Sequence, residues 1–197
     1  MSALGEHDRQ IGNAIMLGVV AELDEAAARV RVDCDGMRTN WIPWLAERAG
    51  PGVRTWSAPE IGEQVVVVSP CGDPAQGVVI GSVYQEDHDA PASVKTTHRT
   101  EYADGTVVEY DRETTTLTVD VGTGNVIVNC ANANVNATEK VTIDAPDTEI
   151  TGNLKVGKKI EAGEDITTPA DVKAGAIGLK THKHPTAGNG PPSLPIP

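Results

Sequence analysis

The sequence contains no aromatic residue after Tyr110, and this absence limits what the second half of the chain can fold into. The three tryptophans, Trp41, Trp44 and Trp56, all lie in the first third of the 197 residues. Aromatic side chains supply much of the buried area of compact cores. The first third can therefore form a globular domain, whereas residues 111–197 must bury their apolar side chains in some other way.

The segment between Ala14 and Tyr84 is typical of a small all-β domain, because short apolar runs alternate with Gly, Pro and Asp-Gly turns. Five strands in so short a segment indicate a closed barrel of the OB type. The stretch Ala21–Ala28 is short, and we interpret it as a turn rather than a helix. The predicted strands are Ile15–Val20, Ala28–Asp33, Met37–Trp44, Glu63–Ser69 and Gly77–Tyr84.

The pattern changes after a polar stretch, Gln85–Thr97, which we interpret as a linker. From Thr114 onward, apolar and polar residues first alternate, as in short strands. Single β-branched residues then recur every four to eight positions, as in the strand-and-corner units of a β-solenoid. Three chains wound together would bury these positions on a shared axis and pair every strand edge. The recurring residues are Val135, Ile143, Ile150, Val156, Ile160, Ile166 and Val172.

Composition excludes several classes of function. The formal net charge is −12, and neither half of the chain is basic, which argues against binding to nucleic acid or to anionic lipid. The three cysteines are far apart and form no CxxC motif, so no disulfide framework is indicated. We find no signal-peptide pattern and no apolar run of membrane-spanning length, so we expect synthesis in the cytosol and no membrane anchor.

Near the C-terminus, His182 and His184 are separated by one residue. In an extended strand both imidazoles project to the same side, and imidazole is a ligand for zinc, copper, iron or nickel. One chain supplies two ligands, and three chains around an axis would supply six. Without such an assembly the two residues would be ordinary loop histidines.

The motifs resemble the baseplate assembly protein V family, the central tail spikes of contractile-tailed, Mu-like phages and of phage-tail bacteriocins. The resemblance keeps the order of the family's blocks over nearly the whole chain. It rests on Gly18-Val19-Val20, Arg29-Val30-Arg31-Val32, Thr39-Asn40-Trp41-Ile42-Pro43-Trp44, Ala49-Gly50, Trp56, Ile61-Gly62-Glu63-Gln64-Val65, Gly77-Val78-Val79-Ile80-Gly81-Ser82, Asp104-Gly105-Thr106, Tyr110-Asp111 and His182-Lys183-His184.

The resemblance implies an all-β homotrimer, with an N-terminal OB-fold barrel followed by an intertwined, triple-stranded β-helix that ends in a metal-bound tip. It implies one iron ion per trimer, held by His182 and His184 of each chain, and further ions in the spike interior are possible. The implied divisions are an N-terminal arm (1–13), a collar (14–85), a linker (86–97), the β-helix (98–178) and the tip (179–197).

The family's role would be mechanical. Its members lie at the tip of a tail baseplate, in a virion or in a bacteriocin particle, dock to a hub protein, and perforate the outer membrane of a Gram-negative host when the sheath contracts. We expect no enzymatic activity and no catalytic or cofactor-binding residue, because the chain carries no lysozyme insert. Carboxylate pairs such as Asp144 with Asp147, or Glu164 with Asp165, are best interpreted as solvated.

Two alternatives from other classes remain. One is a glycan-degrading tail enzyme, and the other is an OB module on a β-helical stalk that binds sugar or nucleic acid. The fold alone does not decide between binding and structural roles. We expect His7, His88 and His98 to be exposed, and Cys34, Cys71 and Cys130 to be at least half-buried.

Overall fold

The structure is a computed structural model that describes residues 3–180. The chain divides into two compact units, one ending at Ala131 and the other beginning at Asn132. Of the helices in the described residues, none is both long and apolar enough to cross a membrane.

The first unit is built on a five-stranded antiparallel sheet in the order β3-β2-β1-β4-β5. Four strands lie close to their predicted positions, but the predicted strand Met37–Trp44 ends at Arg38, because beyond it Ile42 and Trp44 form isolated bridges to two different strands. The first strand continues to Asp24, beyond its predicted end at Val20, and the turn that follows occupies only residues 25–28. The strands are β1 (Ile15–Asp24), β2 (Arg29–Cys34), β3 (Met37–Arg38), β4 (Gln64–Val68) and β5 (Val78–Ser82).

The chain that follows β3 closes this sheet into a barrel. Ile42 exchanges two backbone hydrogen bonds of 2.9 Å with Val30 of β2. On β5, the Val79 amide donates to the Pro43 carbonyl at 3.0 Å, and the Val79 carbonyl accepts from the Leu45 amide at 2.7 Å. One short segment therefore joins β2 to β5, and both strands gain backbone partners beyond the sheet.

Alternate residues of these strands form the core, as the period of two in a half-buried strand requires. Gly18 allows β1 to lie close to β2, since a Cβ there would be 2.6 Å from both the Cys34 sulfur and a Val32 methyl group. The buried apolar residues are Val20, Val30, Val32, Cys34, Ile42, Val65, Val67 and Val79, all between 0 and 4% exposed.

A helix, α1 (Ala3–Ala14), precedes the barrel, where the sequence interpretation has only an arm. It packs against a 3-10 turn at Pro70–Gly72. A Cβ at Gly72 would lie 2.2 Å from the Gln10 carbonyl oxygen, and the φ of Gly72 is +67°. Only glycine satisfies both conditions without strain, so this contact fixes where the helix lies.

After the barrel, the polar stretch contains a tight turn and then leads into a three-stranded meander. Gln85 and His88 exchange two backbone hydrogen bonds of 3.1 Å. The strands β6 (Thr97–Glu101), β7 (Val107–Asp111) and β8 (Thr116–Asp120) pair in order and antiparallel.

From residue 121 to residue 172 the described chain contains no strand. Two short strands follow, β9 (Lys173–Ala174) and β10 (Ile177–Gly178), which form a hairpin. The strand predicted around Asn125–Asn129 is therefore not formed in the single chain. A multi-chain β-helix over this region stays a prediction, since it needs partners that one chain does not supply.

Candidate functional site

The predicted metal ligands, His182 and His184, lie outside the described residues, so the geometry of that site stays a prediction. The chain that leads to them ends in the β9–β10 hairpin. There the Leu179 amide donates to the Val172 carbonyl at 2.9 Å, and the Lys180 amide donates to Asp171 Oδ1 at 3.1 Å. The last described residues thus fold back on the segment that precedes the hairpin.

Within residues 3–180, no three His, Cys, Asp or Glu side chains are grouped in a way that could hold a metal ion. His7, His88 and His98 are exposed, as predicted. Cys34 is buried as predicted, and burial, together with the charge of Asp33, raises the pKa of its thiol. The prediction for the other two cysteines is wrong: Cys71 lies in an exposed turn and Cys130 in an exposed extended segment, because neither belongs to a barrel strand.

One candidate functional surface in the described chain is the series of exposed apolar side chains in its second half. Ile127 is 77% exposed, Val135 is 78% exposed and Ile143 is 73% exposed. Transfer of such a side chain out of water is worth about 1.5–3 kcal/mol, and the described chain provides no core for it. The same holds for Val126, Val128, Ile150, Leu154, Val156, Ile160, Ile166 and Val172, which are between 43 and 74% exposed.

The acidic pairs considered for acid-base chemistry, Asp144 with Asp147 and Glu164 with Asp165, are all exposed. General acid-base catalysis needs a group positioned against a bound substrate. None of these four residues lines any of the three clefts formed by residues 28–89.

Charge on the barrel is organised mainly at the β2–β3 hairpin. Arg38 donates two hydrogen bonds to Asp33, at 2.7 and 2.8 Å, and a third of 2.8 Å to Glu22. These bonds hold the pKa of the Asp33 carboxyl below its ordinary value, chiefly through the Arg38 guanidinium. The three bonds join the two strands of the hairpin to each other and to β1, and because the groups are exposed they contribute little to the free energy of unfolding.

The tryptophans occupy two environments. Trp44 packs against the barrel core, whereas Trp56 is 61% exposed. Their ring centroids are 5.3 Å apart in an edge-to-face arrangement, with an interplanar angle of 70°. An exposed tryptophan held against a half-buried one is a feature of binding surfaces. Sequence reasoning assigned both residues to core or collar contacts without separating them.

A five-stranded barrel followed by a segment with no core of its own in a single chain is typical of proteins whose second part assembles with other chains. Comparisons with known proteins agree. Residues 16–84 match the family described as the Type VI secretion system/phage-baseplate injector OB domain. Residues 129–173 match the family described as phage spike trimer.

A curated relative extends the similarity to the full chain. The chain is 32% identical, over 209 aligned positions, to the spike protein of Escherichia phage P2, and the alignment covers 100% of this chain and 99% of that protein. The chain therefore belongs to the phage baseplate spike family.

Proposed function

We propose that the protein is the homotrimeric central spike of a contractile tail baseplate. The observation that carries this proposal is the series of exposed Val and Ile side chains between residues 126 and 172, in a family described as a spike trimer. Three chains in register would place equivalent apolar residues at the same level of one axis. Each would then be removed from water by its two copies.

In this proposal each part of the chain has a mechanical task. Residues 14–85 form a collar that docks to the hub protein of the baseplate, preceded by the arm at 1–13 and followed by the linker at 86–97. Residues 98–178 form the intertwined β-helix, and residues 179–197 form the tip. Pairing of every strand edge would make the rod stiff along its axis.

Contraction of the sheath, which is made of other proteins, would drive this rod through the outer membrane of a Gram-negative host. The protein would act within the virion as a piercing device and not as an enzyme. A purified spike should then leave soluble surface polysaccharide intact, whereas release of oligosaccharides would favour a glycan-degrading component instead.

At the tip, His182 and His184 of three chains would supply six imidazole nitrogens to one ion. Zinc prefers four ligands, so we expect iron in octahedral coordination. Lys183 would point outward, because alternate residues of an extended strand face opposite sides. The ion would link the three chain ends, and its binding energy would add to the energy of assembly.

The test combines native mass with metal content of the full-length protein. We expect a trimer with one iron ion, and we expect the ion to be released below about pH 6, where protons compete for imidazole. The double substitution His182→Ala/His184→Ala should remove the metal and leave the trimer intact. The matched control, His88→Ala/His98→Ala, should retain it. A monomeric native mass would exclude the trimer, and metal that survives the tip substitution would exclude the site.

A further inference from the structure

One side of the barrel carries a cleft of about 520 Å³ whose charge is opposite to that of the chain as a whole. Three arginines, Arg29, Arg48 and Arg54, line it together with Trp44 and Trp56. Among the described residues that line this arginine cleft, none is acidic.

Short backbone contacts give the cleft a defined shape. The Thr55 amide donates to the Arg48 carbonyl at 3.0 Å, and Thr55 Oγ1 accepts from the Arg48 amide at 3.1 Å. The Gly50 amide closes the same loop by donating to the Val53 carbonyl at 3.0 Å. The arginines at 48 and 54 are thus held on two arms of one hairpin-like loop.

The arginines of the cleft differ from the other arginines of the barrel. Arg31 and Arg38 form ion pairs with Glu22, and Arg38 also pairs with Asp33. By contrast, the guanidinium groups of the cleft form no ion pair with any residue in the range 3–180. Within the same range, the only hydrogen bond that any of the three donates is from Arg29 to the Ala28 carbonyl, at 3.0 Å. A protein of net charge −12 that leaves three neighbouring arginines unpaired beside an exposed tryptophan presents a site for an acidic partner.

The same chain carries an acidic projection. Glu86 and Asp87 form the tip of the turn that Gln85 and His88 close, and the Gln85 side chain anchors it by donating to the Gly62 carbonyl at 2.9 Å. Both tip carboxylates are exposed and form no ion pair within the described residues. We call residues 85–88 the acidic turn. None of these four residues lines the arginine cleft.

A threefold assembly requires such a pair of surfaces. In a cyclic trimer each contact joins two different patches of the chain, and the patches must be complementary to each other. The acidic turn and the arginine cleft are complementary in charge, lie on the same unit, and are each unpaired there. We propose that the acidic turn of each chain inserts into the arginine cleft of the neighbouring chain. This inference rests on the proposed trimer and adds a second contact, at the level of the collar.

Such a contact has a clear purpose in the proposed assembly. It would place the start of each linker against a neighbouring barrel. The three barrels would then be held together at the point where each chain passes from barrel to linker. Covering the two tryptophans would remove solvent from the ion pairs and strengthen them relative to exposed ones.

Cross-linking of the full-length protein tests the contact. The exposed Cys71 and Cys130 are first changed to Ser, so that buried Cys34 is the remaining natural thiol. In this background, Arg54→Cys with Asp87→Cys should give covalent trimers on a denaturing gel after treatment with a short bis-maleimide. The control pairs Arg54→Cys with Asp8→Cys, an exposed acidic residue on α1, and should stay monomeric on the gel.

Charge reversal provides a second measurement on the same cross-linking pair. Arg48→Glu should lower the yield of covalent trimer about tenfold or more, because a charge pair becomes a repulsion. Adding Glu86→Lys should restore it, and high salt should lower the yield of the unreversed protein.

The outcomes separate this inference from the proposed function. Covalent trimers that depend on both charges support the contact. A native trimer that cross-links no better than the Asp8 control overturns the contact and leaves the spike proposal standing. A native monomer overturns both.

Discussion

The barrel and the segment from residue 125 to residue 172 use the same apolar residue types with opposite results. In the barrel, Val30, Ile42 and Val65 are fully buried, and one chain completes the core. In the later segment, Ile127 and Ile143 are more than 70% exposed, although Val and Ile are about as frequent there as between residues 15 and 84. Apolar content does not by itself make a domain, because strands must also lie close enough in the same chain to cover one another.

A charge in the later segment should disrupt the assembly more than any other single change. Ile143→Asp, or Ile150→Asp, would place three carboxylates at one level of the proposed axis. Burial of each charge costs several kcal/mol, so we expect the trimer to dissociate. Native mass measures the result, and the barrel of the dissociated chain should still be folded, which cooperative thermal unfolding would show.

The matched control for that experiment is Thr142→Asp or Thr151→Asp. Each lies next to one of the isoleucines, and alternation sends its side chain to the opposite face of an extended chain. If the Ile143→Asp variant stayed trimeric and the Thr142→Asp variant dissociated, the wrong face of the chain would have been assigned to the axis.

A core substitution in the barrel should have a smaller and separate effect. Ile42→Ala removes a fully buried side chain, and changes of this kind cost about 2–5 kcal/mol. We expect the barrel to unfold at a lower temperature while the native mass stays trimeric.

Tryptophan fluorescence makes this separation measurable, because all three tryptophans lie between residues 41 and 56. The control is Ile80→Ala on β5, where the side chain is 45% exposed and the cost should be much lower. Loss of the trimer in the Ile42 variant would mean that assembly of the later segment depends on a folded barrel.

The barrel strands could be predicted because their information is local. Each is a short apolar or alternating run, as in Gln64–Val68 and Arg29–Cys34, with turn residues such as Asp35-Gly36 nearby. The closure of the barrel was harder to predict in detail, since the bonds of Val79 to Pro43 and Leu45 join residues far apart in sequence. The OB type was nevertheless predicted correctly, because strand number and spacing limit the possible folds.

Helix α1 was missed for a physical reason. Its sequence contains Gly5 and Gly12 and has no continuous apolar stripe, so local propensity argues against a helix. Its position depends on Gly72, which lies far from the helix in sequence and lets the backbone of Gln10 approach closely. The arginine cleft was missed in the same way, because Arg29 is separated in sequence from the loop that carries the other two arginines.

Low pH should lower the stability of the barrel only slightly, through two of its carboxylates. The pKa of Asp33 is lowered chiefly by Arg38, and the pKa of Asp73 is lowered by hydrogen bonds from the Gln76 side chain and the Ala75 amide. A folded-state pKa below the unfolded value means that ionisation stabilises the barrel above about pH 4. This stabilisation is lost as the pH falls through the folded pKa values.

We therefore expect the midpoint temperature of barrel unfolding, followed by tryptophan fluorescence, to decrease as the pH is lowered from 6 to 3. The double variant Asp33→Asn/Asp73→Asn should be less stable than the parent at pH 6 and closer to it at pH 3, because its amides do not ionise. Both carboxylates are exposed, so the difference should be small. Asp8→Asn, on α1, serves as the control for an exposed carboxylate without a hydrogen-bond partner among residues 3–180. An equal difference between variant and parent at both pH values would mean that these two carboxylates contribute nothing to the acid sensitivity of the barrel, and that the interactions responsible lie elsewhere in the assembly.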